Sequence, residues 1–363
     1  MSVVLLGSTS GSVTLQEPAI AGSTVIDLPA TSGTMAVLPT ATSVLPEASG
    51  GTGTTTGYYG FKNRIINGAC VIDQRNAGAS FTVGNLGYGI DRWLTQAVTA
   101  SGTGQQVAGS TGNNKALRIT GASGNTAIQV SQRIESVNIY DCASQTVTVS
   151  FTLFGSASGS VSVRFLYPTA TDNYTSTTEP VAGTSVSFTT TPTQYTVSRT
   201  LDSNANKGVW VLLDFGAVGA SVTRTIEFFQ LEKGSTATSF DYRPYGTELA
   251  LCQRYYYKTK STALVTSFSI GFVESTTVAN GNMVFPVSLR TSPTAIEQSG
   301  TAGDYAIRYV LTDVTCSAVP YFVAANVDAS WFRFPVASGL TAGQAVMLRA
   351  LNTSAYLAWS AEL

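Results

Sequence analysis

Short apolar runs recur along most of this chain, each closed by Gly, Ser, Thr, Asn or Pro before it reaches the length of an ordinary helix. That punctuation excludes a helical bundle and requires many short strands joined by turns. Several runs alternate apolar and polar residues. Val147, Val149, Phe151 and Leu153 do so, and a period of two places one set of side chains on one face of a sheet. Runs at 116–120, 127–134, 146–154, 160–167, 185–190, 194–201, 208–215 and 223–231 predict a central antiparallel jelly-roll sandwich over residues 57–245. The pattern resumes at 267–273, 282–287, 305–310, 321–326, 331–334, 345–350 and 355–360, predicting a smaller carboxyl-terminal β-sandwich over 261–363. The fold class is therefore all-β.

One stretch breaks the rule. Residues 248–257 contain no Gly, no Pro and little β-branching, and Leu249, Cys252 and Tyr256 fall at helical spacing, widened by Leu251 and Tyr255. A short linking helix within 246–260 is expected. About ten residues do not hold a helix alone in water, so the apolar face must be covered. Two coverings are open: neighbouring copies of the chain around a symmetry axis, or the adjoining domains of the same chain.

Residues 1–56 carry a loose repeat at 11–15, 22–29 and 33–39, in which a turn residue precedes a β-prone run. None of these units encloses a core, so an extended amino-terminal β arm that packs on other chains is expected. The Gly- and Thr-rich run at 48–57 suits a linker.

Charge and residue usage narrow the function. Charged residues make up 11% of the chain and the formal net charge is -1, with no run of Lys or Arg to displace counterions from phosphates, so nucleic acid is not an expected partner. Membrane insertion is not expected either, because no apolar stretch reaches the roughly 20 residues of a spanning helix. The opening MSVVLLGSTSGS lacks a basic region and a long apolar run, and so does not read as a secretion signal. Cys70, Cys142, Cys252 and Cys316 are widely separated, which suits buried thiols better than a disulfide framework or zinc site. The chain contains no histidine, which removes Ser-His-Asp and Cys-His catalysis and His-ligated zinc. Glycoside hydrolysis needs only two carboxylates, and Asp91, Asp202, Asp214, Glu227 and Asp241 are the candidates, though nothing in their spacing pairs them. Asp91 and Arg92, beside Trp93, read instead as a structural ion pair or cap. No cofactor is expected, and no calcium loop is evident.

Residues 230–256, QLEKGSTATSFDYRPYGTELALCQRYY, resemble a junction found in tail-fibre and related virion proteins of tailed bacteriophages, where it closes a carbohydrate-binding-module-like jelly roll. Residues 63–75, NRIINGACVIDQR, and Asp91-Arg92-Trp93 resemble the start of that module, and the amino-terminal Gly-Ser repeats and 50–53 resemble fibre attachment regions. The resemblance implies a non-enzymatic virion component, a homotrimeric tail fibre that docks on other virion proteins through its amino terminus and contacts host-surface glycan with its carboxyl end. A capsid or baseplate decoration protein is the alternative, and a polysaccharide depolymerase a third reading. Localisation is expected in the virion, after synthesis in the bacterial cytoplasm.

The carboxyl-terminal segment supplies the candidate ligand residues. It carries Tyr305, Tyr321, Trp331, Phe332, Tyr356 and Trp359. In the run at 329–335, Trp331 and Arg333 fall opposite Phe332 and Phe334 if the run is a strand. Trp331 and Arg333 are therefore the expected glycan contacts, together with polar loops such as that at 297–304; the alternative is that these aromatics build the core.

Overall fold

The computed structural model describes residues 61–263 and 266–363, together with two strands near the amino terminus. Those two, Val3–Leu6 and Ser12–Leu15, pair antiparallel with Val3 opposite Leu15. The repeats at 22–29 and 33–39 and the linker at 48–57 lie outside the described residues.

From residue 61 the chain builds two antiparallel sheets stacked face to face. One has the order Asn173–Thr178, Gly159–Ala170, Val209–Asp214, Ala127–Ile134, Leu94–Val98 and Gly87–Tyr88, with Thr184–Phe188 also paired to Gly159–Ala170. The other has the order Thr193–Thr200, Thr146–Gly155, Thr223–Lys233, Lys115–Thr120, Gly102–Ala108 and Phe81–Val83. Val147, Val149, Phe151 and Leu153 all point into the space between the sheets and are buried, as their period of two requires. Trp93 and Phe151 both pack on Phe229, at centroid distances of 5.3 Å and 5.4 Å. Gly104 is needed here: a side-chain carbon at that position would overlap the Phe81 ring.

The strands not expected from sequence include Phe81–Val83, Gly87–Tyr88, Gly102–Ala108 and Asn173–Thr178. These are short or rich in Gly and polar residues, and they sit at or near sheet edges, where burial imposes little alternation.

The carboxyl-terminal module has a seven-stranded sheet, in the order Thr312–Thr315, Tyr305–Tyr309, Ala345–Ala350, Ser267–Ser275, Val278–Val284, Ala329–Pro335 and Tyr321–Ala325. A three-stranded sheet, Tyr256–Lys260, Tyr356–Ser360 and Glu297–Gln298, completes it. Phe268, Tyr305, Phe332, Phe334 and Trp359 share its core.

The linking helix is shorter than expected. It spans Tyr245–Gln253, and Tyr256 is not on it but opens a strand with its backbone opposite Ser360. Aromatic and β-branched residues in YYYKT favour a strand once a partner is present, so tertiary pairing outweighs the helical spacing. The helix is covered within its own chain. Cys252 and Tyr255 are buried against Ile66 and Ile72, with Leu249 and Leu251 packed on the same cluster. Tyr256 is buried as well.

The two sequence stretches at 63–75 and 230–256 meet at this seam and satisfy each other. The Asn63 side chain accepts from the Leu231 amide at 3.1 Å and donates to the Phe229 carbonyl at 3.0 Å. The Asn67 amide donates to Glu248, whose carboxylate also receives Arg243 at 3.1 Å. Arg254 reaches Glu135 at 2.9 Å, and the Tyr255 hydroxyl donates to the same carboxylate at 2.8 Å. Across the seam Glu362 binds Arg92 and, at 3.0 Å, Arg75; those guanidiniums lie over the rings of Tyr255 and Tyr256 at 3.6 Å and 3.7 Å. Jelly roll and terminal module are thus joined by a buried polar network rather than by a bare linker.

Asp91 makes that seam sensitive to pH. Burial raises its carboxyl from 3.8 to about 6, although Arg75 and the two Gln74 donors, at 2.6 Å and 2.5 Å, act in the opposite sense. Since the folded value lies above the unfolded one, the group adds stability that is complete below 3.8 and is lost as pH rises through about 6. Lowering pH from about 7.5 to about 5 should therefore raise stability by about 1 kcal/mol through this group. Urea unfolding of the native chain and of Asp91→Asn at both pH values checks this. The variant should lack the gain; an identical pH response in both would remove Asp91 as its source.

Candidate functional site

Strand Ala329–Pro335 alternates as its sequence predicts. Phe332 and Phe334 are fully buried, whereas Trp331 is 59% exposed on the opposite face beside the half-buried Arg333. That face is the outer surface of the seven-stranded sheet, because the three-stranded sheet packs on the inner one, with Trp359 5.9 Å from Phe332.

Strand register brings residues distant in sequence into rows on this face. Tyr321 lies opposite Arg333, Arg333 opposite Asn280, Asn280 opposite Phe272, and Phe272 opposite Ala345. Beside that row Trp331 faces Asn282, and Ile270 faces Met347. Arg333 is fixed by donating to Asn280 Oδ1 at 3.0 Å and to Glu274 Oε1 at 2.6 Å. Its charge is thereby matched within the face. Tyr321 is 41% exposed and Phe272 51%.

The result is a sheet surface with an exposed indole, flanked by amides and an ion pair. An aromatic face accepts the C–H side of a sugar ring, while amide, guanidinium and carboxylate groups exchange hydrogen bonds with its hydroxyls.

The polar loop at 297–304 does not join this surface. Glu297–Gln298 belongs to the three-stranded sheet, and the Glu297 carboxylate accepts from the Tyr256 hydroxyl at 2.9 Å. Tyr305 and Trp359 are core residues. Tyr321, Phe272, Ile270 and Asn280 belong to the face but were not legible as such, since only strand register places them beside Trp331.

The candidate carboxylates are dispersed and engaged. Glu227 accepts from the Ser110 amide at 2.6 Å, its hydroxyl at 2.9 Å and Asn114 at 2.8 Å. Asp214 binds Gln129 and Arg164, at 2.8 Å and 3.3 Å. Asp202 caps a 3-10 turn by accepting from the Asn204 amide at 2.8 Å, and Asp241 accepts from the Lys62 amide at 2.7 Å. Asp91 and Arg92 do not pair with each other: Asp91 receives Gln74 and Arg92 binds Glu362. All four cysteines are buried and unpaired, and burial pushes their thiols upward. Among the described residues no three Cys, Asp or Glu side chains converge where a metal ion would sit.

No family model and no curated protein matches the chain. Among solved structures, a CBM4 carbohydrate-binding module is 21% identical, covering 47% of this chain and 99% of that one, with a TM-score of 0.32. An enzymatically active domain of tailspike protein 4 from bacteriophage CBA120 aligns at 12% identity over 48% of this chain and 22% of that one, with a TM-score of 0.31. The CBM22-1 xylan-binding domain of Paenibacillus barcinonensis Xyn10C aligns at 14% identity over 45% of this chain and 99% of that one, with a TM-score of 0.28. Likenesses of this size assign no ligand or role to this chain.

Proposed function

We propose that this protein is a non-enzymatic glycan-binding component of a tailed-phage virion, a fibre that docks through its amino-terminal segment and presents its carboxyl-terminal module to the host surface. The observation that carries glycan binding is Trp331, held exposed on a β-sheet beside Tyr321 and the Arg333–Glu274 pair. The resemblance of residues 63–75 and 230–256 to fibre junctions supports the virion setting. In three copies, weak binding per chain would gain avidity.

A second reading has its own observation. Ile270 is 76% exposed and Val284 68%, and with Phe272, Tyr321, Trp331 and Met347 they expose on the order of 600 Å² of apolar surface. That equals the largest patch of an ordinary monomer and approaches the ~800 Å² that each partner contributes to a standard interface. The same face would then join copies of the chain, as in a structural or decoration protein.

One pair of variants separates these. Under the glycan reading, particles carrying Trp331→Ala adsorb poorly to host cells, while Ile270→Lys leaves the mass of the purified protein unchanged in sedimentation. Normal adsorption with a drop in mass for Ile270→Lys would favour the second reading and reject the first.

A further inference from the structure

On the jelly roll, far from Trp331 in sequence, the edge of one sheet is interrupted. Strand Gly159–Ala170 pairs along one edge first with Asn173–Thr178, where Tyr167 faces Thr178, and then with Thr184–Phe188, where Val163 faces Thr184. Between them the segment 179–183 leaves the edge, so residues 164–166 have no strand partner on that side. A cavity of about 210 Å³ opens there, with Phe165 and Tyr167 from one sheet, Arg199 and Asp202 from the other side, and Pro180 and Val181 at its mouth. A six-membered ring fits comfortably, since an apolar cavity of about 150 Å³ already admits benzene.

The mouth is preformed. From one sheet Arg164 grips Glu179 through Nε at 3.0 Å, while from the other Arg199 donates to the Val181 and Ala182 carbonyls at 3.1 Å and 2.7 Å and to Thr184 Oγ1 at 3.0 Å. Both terminal nitrogens of Arg199 are therefore committed to the protein, leaving no free fork for a carboxylate or phosphate. Asp202 is held ionised by donors from Asn204, at 2.8 Å and 2.7 Å, both on Oδ1. The Ser203 hydroxyl is a third donor, and three donors still leave one of the carboxylate's four lone-pair sites open to accept. Tyr167 accepts from the Asp202 amide at 3.2 Å and keeps its own O–H as a donor. Apolar walls, an ionised acceptor and a guanidinium whose terminal donors are already spent on the loop suit an uncharged, hydroxyl-rich ring better than an anion, which the Asp202 carboxylate would repel.

The geometry points to a second ligand site here, taking one neutral pyranose residue and independent of the Trp331 face. Val181 is 58% exposed in a loop, so Val181→Trp fills the mouth without disturbing the core. Asp202→Asn keeps the cap, because Asn caps as well as Asp, but removes the charge.

The probes are methyl glycosides of glucose, galactose, mannose and N-acetylglucosamine, with methyl glucuronide as the anionic control. Saturation-transfer NMR on the full chain should show transfer to at least one neutral glycoside and none to the glucuronide. In the Trp331→Ala background the transfer should persist, and affinity should fall about tenfold or more when Val181→Trp or Asp202→Asn is added, each at an unchanged thermal midpoint. Absence of transfer from every neutral probe in the Trp331→Ala background overturns the site, as does transfer in that background that survives both cavity variants. Stronger transfer to the glucuronide overturns the ligand class. Failure at Trp331 in the adsorption assay leaves these outcomes unaffected, so the two sites stand or fall separately.

Discussion

Glu362→Ala is expected to cost about 3–5 kcal/mol and to uncouple the terminal module from the jelly roll. Glu362 is the carboxylate that neutralises Arg92, whose side chain is 1% exposed, and it also holds Arg75. Removing it leaves a buried guanidinium with only the Arg133 carbonyl, at 2.6 Å, and the Tyr255 ring beneath it. A stranded charge is costly because the lost attraction is not replaced by water. Urea unfolding should show a second, earlier transition as the seam opens. Arg92→Met combined with Glu362→Leu should recover most of the loss, since replacing both partners of a buried pair by apolar groups is often neutral or stabilising. A single transition with a loss below about 1 kcal/mol would mean that the seam does not depend on this pair.

Phe332→Ala should cost a further class of energy, about 3–5 kcal/mol, through an unfilled cavity. Phe332 is fully buried between Phe334 and Trp359, both 5.9 Å away by ring centroid. Its ring also lies against Gly281, where an added side-chain carbon would come within 2.8 Å of it. Trp331, the preceding residue in the same strand, should behave oppositely: Trp331→Ala is expected within about 0.5 kcal/mol of the native stability. Thermal or urea unfolding of both variants checks the contrast. A large loss from Trp331→Ala would place that indole in a packed interface, and a negligible loss from Phe332→Ala would contradict the assigned strand orientation.

That contrast was legible in the sequence because a strand has a period of two, and Trp331 and Phe332 differ by one position. The all-β class and most strands of both modules follow from the same alternation. What alternation does not encode is which strands become neighbours. Phe272, Asn280, Arg333 and Tyr321 form one row although they come from four strands, and no local signal links them. The polar loop at 297–304, expected to bind glycan together with Trp331, opens on the three-stranded sheet instead, and no local signal shows that either.

The helix shows a different limit. Its apolar spacing is real, yet spacing alone does not say whose surface covers it, nor that the Tyr256 backbone would find Ser360 and leave the helix. The cavity beneath 179–183 arises from two strands sharing one edge with a gap between them, a feature of register and not of composition.

The proposed function requires that the outer sheet face around Trp331 binds glycan. Titration calorimetry of the full chain with surface polysaccharide extracted from a susceptible host tests it most directly. A saturable heat is expected for the native protein, with an affinity about tenfold lower, equivalent to about 1.4 kcal/mol, for Trp331→Ala at an unchanged thermal midpoint. Equal affinity in the two proteins, with both fully folded, would contradict it.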